Sequence, residues 1–315
     1  MITTDLLFFS LACVFLAFSG HFVVKSLIKI ARYYGLREFV VGFILVAITT
    51  SIPELFVGII SALSNISALS FGDIIGANIV DLTVVVGATA LLGKRIKIEN
   101  EIEKKDVFYT FFIALLPILL FLDHNLSRID GIILLVAFLL YIFRLIIQRK
   151  HFRKIVSDHV SKSLLRKELI LFVISVIVLL LSARFIVQFA VSLASELSLH
   201  PILIGLVIVS IGTTLPELLF ETNSVLKGFS GMAVGDLLGS VVANSSLVLG
   251  VVSIIQPIEA YFVSFAIGAG FLIVSLSAFI VFARTEHEIT WKEGLILLIF
   301  YILFVITSLI FRSYA

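Results

Sequence analysis

Glu54 and Glu217 each follow a proline in the middle of a long apolar stretch, in Thr50-Ser-Ile-Pro53-Glu54 and Thr213-Thr-Leu-Pro216-Glu217. Proline has no N–H, so the carbonyls four residues back, of Thr49 and Gly212, lose their helical donor, and the ring loosens the carbonyls near Thr50 and Thr213. In hydrocarbon such groups must face protein or a polar cavity. Glu54 lies four residues after Thr50 and so shares its helical face; Glu217 repeats this with Thr213. Carbonyl, hydroxyl and carboxylate oxygens are what hard cations take. Freed carbonyls beside a carboxylate therefore occur twice, and they point to cation binding. A proline kink with a snorkelling glutamate accounts for this less well. The residues stand far from the span ends, charge at mid-membrane costs several kcal/mol, and a kink alone does not call for Glu in both copies.

Each motif is followed, at the same spacing in both copies, by a second segment: Gly72-Asp-Ile-Ile-Gly76-Ala-Asn-Ile-Val-Asp81 and Gly235-Asp-Leu-Leu-Gly239-Ser-Val-Val-Ala-Asn244. Glycines at four-residue spacing let helices approach closely. Asp81 and Asn244 occupy equivalent places, and Asp81 in an apolar run reads as part of a polar site. Asp73 and Asp236 stand near the predicted span starts, where helix capping is the expected role. Glu54, Asp81 and Glu217 around Asn244 would be strongly anionic at low dielectric, so cations or protons must neutralise part of the charge.

The elements that position these residues are predicted to be membrane spans. The 315-residue chain is 60% hydrophobic and 14% charged, with net charge +2, against about 25% charged for soluble domains. Its mean hydropathy is +1.20. Apolar runs long enough to cross a bilayer predict about ten helices, at 6–30, 38–63, 70–92, 107–122, 131–147, 168–194, 201–226, 231–255, 260–283 and 291–311. A β-barrel would show shorter alternating segments. The single cysteine, Cys13, excludes an internal disulfide and a Cys-based metal site. The first residues lack a basic region, so the first run reads as a retained span.

At an offset of 163 residues, 42–87 aligns on 205–250 without a gap, with roughly a third of positions identical. A weaker match extends upstream, from Ser19-Gly-His21-Phe22 to Ser182-Ala-Arg184-Phe185. The expected fold class is therefore an all-α membrane protein with two five-helix repeats: residues 1–147, a basic linker 148–167, and residues 168–315. Five spans is an odd number, so the second repeat enters the membrane inverted, a plan that places a transporter's site at the midplane between repeats. The linker is the most basic loop and is expected on the cytoplasmic side. Counting outward from it puts Lys25–Arg37, Lys94–Lys105, Lys227 and Arg284–Lys292 inside, and both termini outside.

In these doubled motifs, Ala47–Glu54 with Gly72–Asp81 and Ser210–Glu217 with Gly235–Asn244, the chain resembles the cation/calcium antiporter superfamily, and within it the prokaryotic sodium/calcium exchangers. The resemblance covers both halves. It implies that Glu54 and Glu217 bind calcium with the backbone carbonyls of Thr50 and Thr213. It implies that Asp81 and Asn244 flank the centre, and that Ser51, Thr214 and Ser240, with the carbonyls of Ala47 and Ser210, surround outer sodium sites. It further implies exchange of several sodium ions for one calcium by alternating access, with the first and sixth helices sliding across the bundle. The chain departs from the family pattern in four places. Asp73 and Asp236 stand where Asn is frequent. Ala77 lacks the hydroxyl of its counterpart Ser240. The acid and amide at 81 and 244 are exchanged between repeats. These departures touch the co-ion more than calcium, and a proton/calcium or other divalent antiporter is the alternative. Both copies read Pro-Glu and lack that branch's Gly-Asn-Ala-x-Glu motif, which favours sodium.

Other classes fit less well. A channel closes its pore with oligomeric rings or filter loops, whereas an inverted repeat suggests alternating access. An enzyme is not expected: the six histidines offer no HExxH motif, and no nucleophile accompanies the acids. The expected partners are Ca2+, Na+ or H+ and the lipid bilayer of the cell membrane, with no prosthetic group and no nucleic acid. A monomer suffices, because the site lies within one chain.

Overall fold

The computed structural model describes residues 2–33, 50–98, 101–148, 162–259, 262–284 and 287–311. Helices dominate. In chain order they are α1 (Ile2–Tyr33), α2 (Ile52–Leu63), α3 (Ser67–Gly93), α4 (Glu101–Leu120), α5 (Arg128–Gln148), α6 (Lys162–Glu196), α7 (Pro201–Thr213), α8 (Leu215–Leu226), α9 (Ser230–Ile255), α10 (Phe262–Arg284) and α11 (Trp291–Ile310). Among the described residues six are long and apolar enough to cross a membrane, and α7 and α8, bent by 43° at their break, pass the same test as a pair. The chain is an integral membrane protein. Much of the expected 38–63 span and of the 148–167 linker lies outside the described residues.

The break between α7 and α8 follows from Pro216. Thr214, just before it, has φ −82° and ψ 2°, and Ser51, before Pro53, has φ −81° and ψ 6°. Both sit near the sparsely populated bridge region. Each proline then falls in the first turn of its new helix, where no N–H is required. The α7 N-terminus is capped by His200, whose Nδ1 accepts from the Ile202 N–H at 3.4 Å. Burial holds this imidazole below its ordinary pKa, which favours the neutral, accepting ring.

Elements recur at the 163-residue offset. α2 and α8 begin and end at equivalent positions. π-helical turns open at Asp81 in α3 and span Ala243–Val248 in α9. His124 and His287 both take positive φ, 69° and 58°. A capping pair precedes each last helix: Ser127 with Asp130, and Thr290 with Glu293. Four short strands pair crosswise: β1 (Arg95–Lys97) with β4 (Glu288–Thr290), and β2 (Asn125–Leu126) with β3 (Ile258–Glu259).

α1 and α6 lie together and run antiparallel. Lys29, near the end of α1, pairs with Glu168, near the start of α6, at 2.5 Å. Asp5, at the start of α1, accepts from Ser192, at the end of α6. Between them Phe8 stacks on Phe189, with centroids 5.6 Å apart. The outer faces of both helices expose Leu7, Phe15, Phe18, Ile170, Ile174 and Phe185, an apolar belt suited to lipid.

The broken helices and α3 and α9 fill the interior. α3 and α7 cross in near-backbone contact: a Cβ on Gly72 would meet the Ile202 carbonyl oxygen, and one on Gly76 the Leu206 carbonyl oxygen. This packing role was the one expected of those glycines, and their absent side chains bring the two halves of the site together.

Candidate functional site

Two crossed hydrogen bonds define the centre. Thr50 Oγ1 donates to Asp236 Oδ1 at 3.1 Å, and Thr213 Oγ1 donates to Asp73 Oδ1 at 3.1 Å. Both the donors and the acceptors stand 163 residues apart, so each half's broken helix holds the other half's aspartate. The capping expectation for Asp73 and Asp236 is thus corrected. The N-caps of α3 and α9 are Ile66 and Phe229, and both aspartates lie deeper, fully enclosed. Proximity to a span start was misleading because the helices begin earlier than hydropathy suggests.

Glu54 and Glu217 are both 0% exposed, which excludes the snorkelling reading. Neither Glu54 oxygen accepts a hydrogen bond, and Glu217 accepts only from Ser240 Oγ at 3.5 Å. Glu217 lies within electrostatic reach of Glu54, Asp81 and Asp236. Asp81 and Asn244 are equally buried, and all four of their side-chain polar atoms lack protein partners. Ser51 and Ser240 share a hydroxyl contact of 3.3 Å. The Ser210 carbonyl receives the Thr214 N–H at 3.2 Å and the Thr214 hydroxyl. Ala47 and Thr49 lie outside the described residues. Ala77 is buried, with no hydroxyl to match Ser240.

Sequence reasoning missed three members of this neighbourhood. Glu221 lies one turn beyond Glu217 and is 1% exposed. Its signal was available, as a glutamate inside the apolar run 201–226. Asn78 and Ser245 are joined by a 2.8 Å hydrogen bond between α3 and α9; they are not equivalent in the repeat, so the alignment did not flag them.

Six enclosed carboxylates therefore gather here: Glu54, Asp73, Asp81, Glu217, Glu221 and Asp236. Among the described residues the ion pairs are Lys29–Glu168 and Arg95–Glu288, and neither serves this cluster. Uncompensated buried carboxylates cost several kcal/mol each. Their unpartnered oxygens are acceptors only when ionised, so a cation or a proton is the natural complement. Among the described residues no three His, Cys, Asp or Glu side chains converge as a ready cage. A cation at this centre must draw on hydroxyl and carbonyl oxygens as well.

The two ends of the bundle treat this centre differently. A cavity of about 810 Å³ is lined by Lys25, Lys227, His21, Phe220, Thr50 and Pro53 among others. On the Thr213 side, Cys13 of α1 lies directly against Gly212, with Phe9 beside it. One threonine lines a cavity; the residue before the other is covered by packed side chains.

The family described as "Sodium/calcium exchanger protein" matches the chain twice, over residues 4–147 and 167–310. The sodium/calcium exchanger MaX1 of Methanosarcina acetivorans is 26% identical, covering 97% of this chain and 99% of its own length. The inner membrane protein YrbG of Escherichia coli is 25% identical, over 82% of each. Among solved structures, the sodium-calcium exchanger NCX_Mj soaked with sodium and strontium superimposes with a TM-score of 0.67 at 25% identity, covering 96% of this chain and 98% of that one.

Proposed function

This chain belongs to the sodium/calcium exchanger protein family, and on that premise we propose that it exchanges Na+ for Ca2+ across the cell membrane by alternating access. The observation that carries this reading is the crossed pair Thr50–Asp236 and Thr213–Asp73 around two enclosed glutamates with unpartnered oxygens. Glu54 and Glu217 receive calcium, with the carbonyls of Thr50 and Thr213. Ser51, Ser240, Thr214, Ser210 and Ala47 supply oxygens to sodium around them, and Asp81 and Asn244 flank the centre. With the cations gone, the carboxylates repel one another in a low-dielectric interior. The empty carrier is thereby disfavoured in transit, which is what couples one ion's movement to the other's.

The same reading has ten spans in two inverted repeats, 1–147 and 168–315, joined by the basic segment 148–167. The antiparallel α1 and α6 stand at equivalent places in the two halves, as an inverted repeat requires. They pack on the bundle through an apolar surface in which Leu16, Leu179 and Ile186 meet Val57, Leu69 and Val209, and Gly20 lies near Pro53 and Cys13 against Gly212. The pair can slide to open one threonine while covering the other. The cavity lined by Lys25 and Lys227 faces the cytoplasm by the distribution of positive charge, and both termini face outside. One chain supplies every site residue, so a monomer is sufficient.

The test is calcium-45 uptake by proteoliposomes loaded with sodium and diluted into sodium-free buffer, beside vesicles carrying only a pH gradient. Sodium-driven uptake, lost in Glu54→Gln, is the expected result. Uptake driven by the pH gradient alone would overturn the sodium assignment and place the protein with proton/calcium antiporters.

A further inference from the structure

The repeats match acid for acid at Glu54 and Glu217 and at Asp73 and Asp236, but Asp81 is answered by Asn244 and Glu221 by Gly58. The two unmatched acids fall in one neighbourhood. α8, which carries Glu221, packs against the π turn that Asp81 opens and against α9, which carries Asp236. Asp236 acts electrostatically on both Glu221 and Asp81. Glu221 Oε1, Asp236 Oδ2 and both Asp81 oxygens are buried without a protein donor. The corresponding space beside Gly58 is closed, since a Cβ there would stand 2.8 Å from Val252 and 2.9 Å from Ser70. Only the Asp236 side can therefore hold an additional carboxylate. It is also the side the cavity reaches, because Thr50 both lines that cavity and donates to Asp236.

We propose that Glu221 is a ligand of a sodium ion bound beside the Glu54–Glu217 pair, on the cavity side, with Asp236 and Asp81 supplying the rest of the anionic field. Oxygen donors without nitrogen or sulfur select a hard cation. Calcium takes six to eight oxygens, and in the exchanger reading it occupies the Glu54–Glu217 centre. A monovalent ion needs fewer. One turn of α8 separates Glu221 from Glu217, and its chain neighbour Phe220 lines the cavity, so a sodium ion held by Glu221 sits one turn from the central pair. It offsets part of the mutual repulsion of the six enclosed acids.

The inference rests on the exchanger reading, and the two can fail separately. Purified full-length protein is titrated with sodium-22 in a direct binding assay, and the same variants are assayed for exchange in proteoliposomes. Glu221→Gln is expected to weaken sodium binding about tenfold and to lower the steepness of the sodium dependence, with half-saturating calcium within about threefold of the parent. Glu221→Gly, which copies position 58, should behave like Glu221→Gln, and Glu221→Asp should recover most of the sodium binding. Unchanged sodium-22 binding in Glu221→Gln overturns the proposal. So does an equal loss for sodium and calcium accompanied by a lower melting temperature, because that is the signature of a packing residue. If the parent binds sodium through Glu221 but shows no sodium-driven calcium uptake, the proposed function fails and the sodium ligand stands.

Discussion

The Thr50–Asp236 half of the site and the Thr213–Asp73 half are built from the same motif, yet they differ in access and in charge. Both hold a threonine-to-aspartate hydrogen bond of 3.1 Å. Around Asp236 gather Glu217, Asp81 and Glu221; Asp73 acts chiefly on Glu54. A cavity reaches Thr50, and Cys13 with Phe9 packs over Gly212 beside Thr213. The lesson is that sequence symmetry in a carrier need not produce a symmetric field. Each repeat makes half of one site, but a few unmatched residues decide from which side it is more strongly anionic. A helix placed over one end decides from which side it is open.

The largest expected effect would break the comparison altogether. Glu54→Gln and Glu217→Gln should each reduce calcium transport roughly 100-fold or more, since removing one partner of a buried ion pair, here the carboxylate that faces bound calcium, costs about 3–5 kcal/mol. Calcium-45 flux checks this, with melting temperature confirming the fold; transport surviving in both variants would remove the central role of the pair. Next, Asp236→Asn should raise the half-saturating sodium concentration about tenfold, one charged hydrogen-bonding group being worth about 1.5–3 kcal/mol. Asp73→Asn should move it clearly less. Equal shifts would show that the extra acids around Asp236 add nothing.

Packing predicts a smaller, structural effect. Gly72→Ala places a methyl group against the Ile202 carbonyl oxygen and should destabilise the protein by about 1–3 kcal/mol, read as a lower melting temperature. An unchanged melting temperature would mean that α3 and α7 can separate freely. The smallest effect belongs to Ala77, the buried counterpart of Ser240. Ser240 touches both Ser51 and Glu217. Ala77→Ser should raise apparent sodium affinity about two- to fivefold, as one added neutral hydrogen bond is worth about 0.5–1.5 kcal/mol. A flat sodium curve would place position 77 away from any sodium ion.

Much of this was legible in the chain before any coordinates. The Pro-Glu breaks, the 163-residue offset and the glycine pairs all express local rules: proline ends a helix whatever surrounds it, and a buried acid in an apolar run must find a partner. The expectation of capping for Asp73 and Asp236 failed because it used position along one helix, whereas their partners lie on the broken helices of the opposite repeat. Glu221 escaped notice for a related reason. It has no counterpart in the first repeat, and a search for symmetry passes over what is asymmetric.

By itself the sequence determined that the chain lives in a membrane, that it carries one motif twice, and that acids and broken helices coincide at both copies. Periodicity, hydropathy and the covalent chemistry of proline suffice for those conclusions. Only the tertiary structure decided that Thr50 bonds Asp236 and Thr213 bonds Asp73 across the two repeats. Only it decided that Glu221 joins Asp81 beside Asp236, and that Cys13 covers one end while a cavity opens at the other. The physical reason is distance along the chain. The contacts Thr50–Asp236, Thr213–Asp73 and Cys13–Gly212 join residues more than a hundred positions apart, and the missing side chains of Gly72 and Gly76 allow α3 and α7 to meet backbone to backbone.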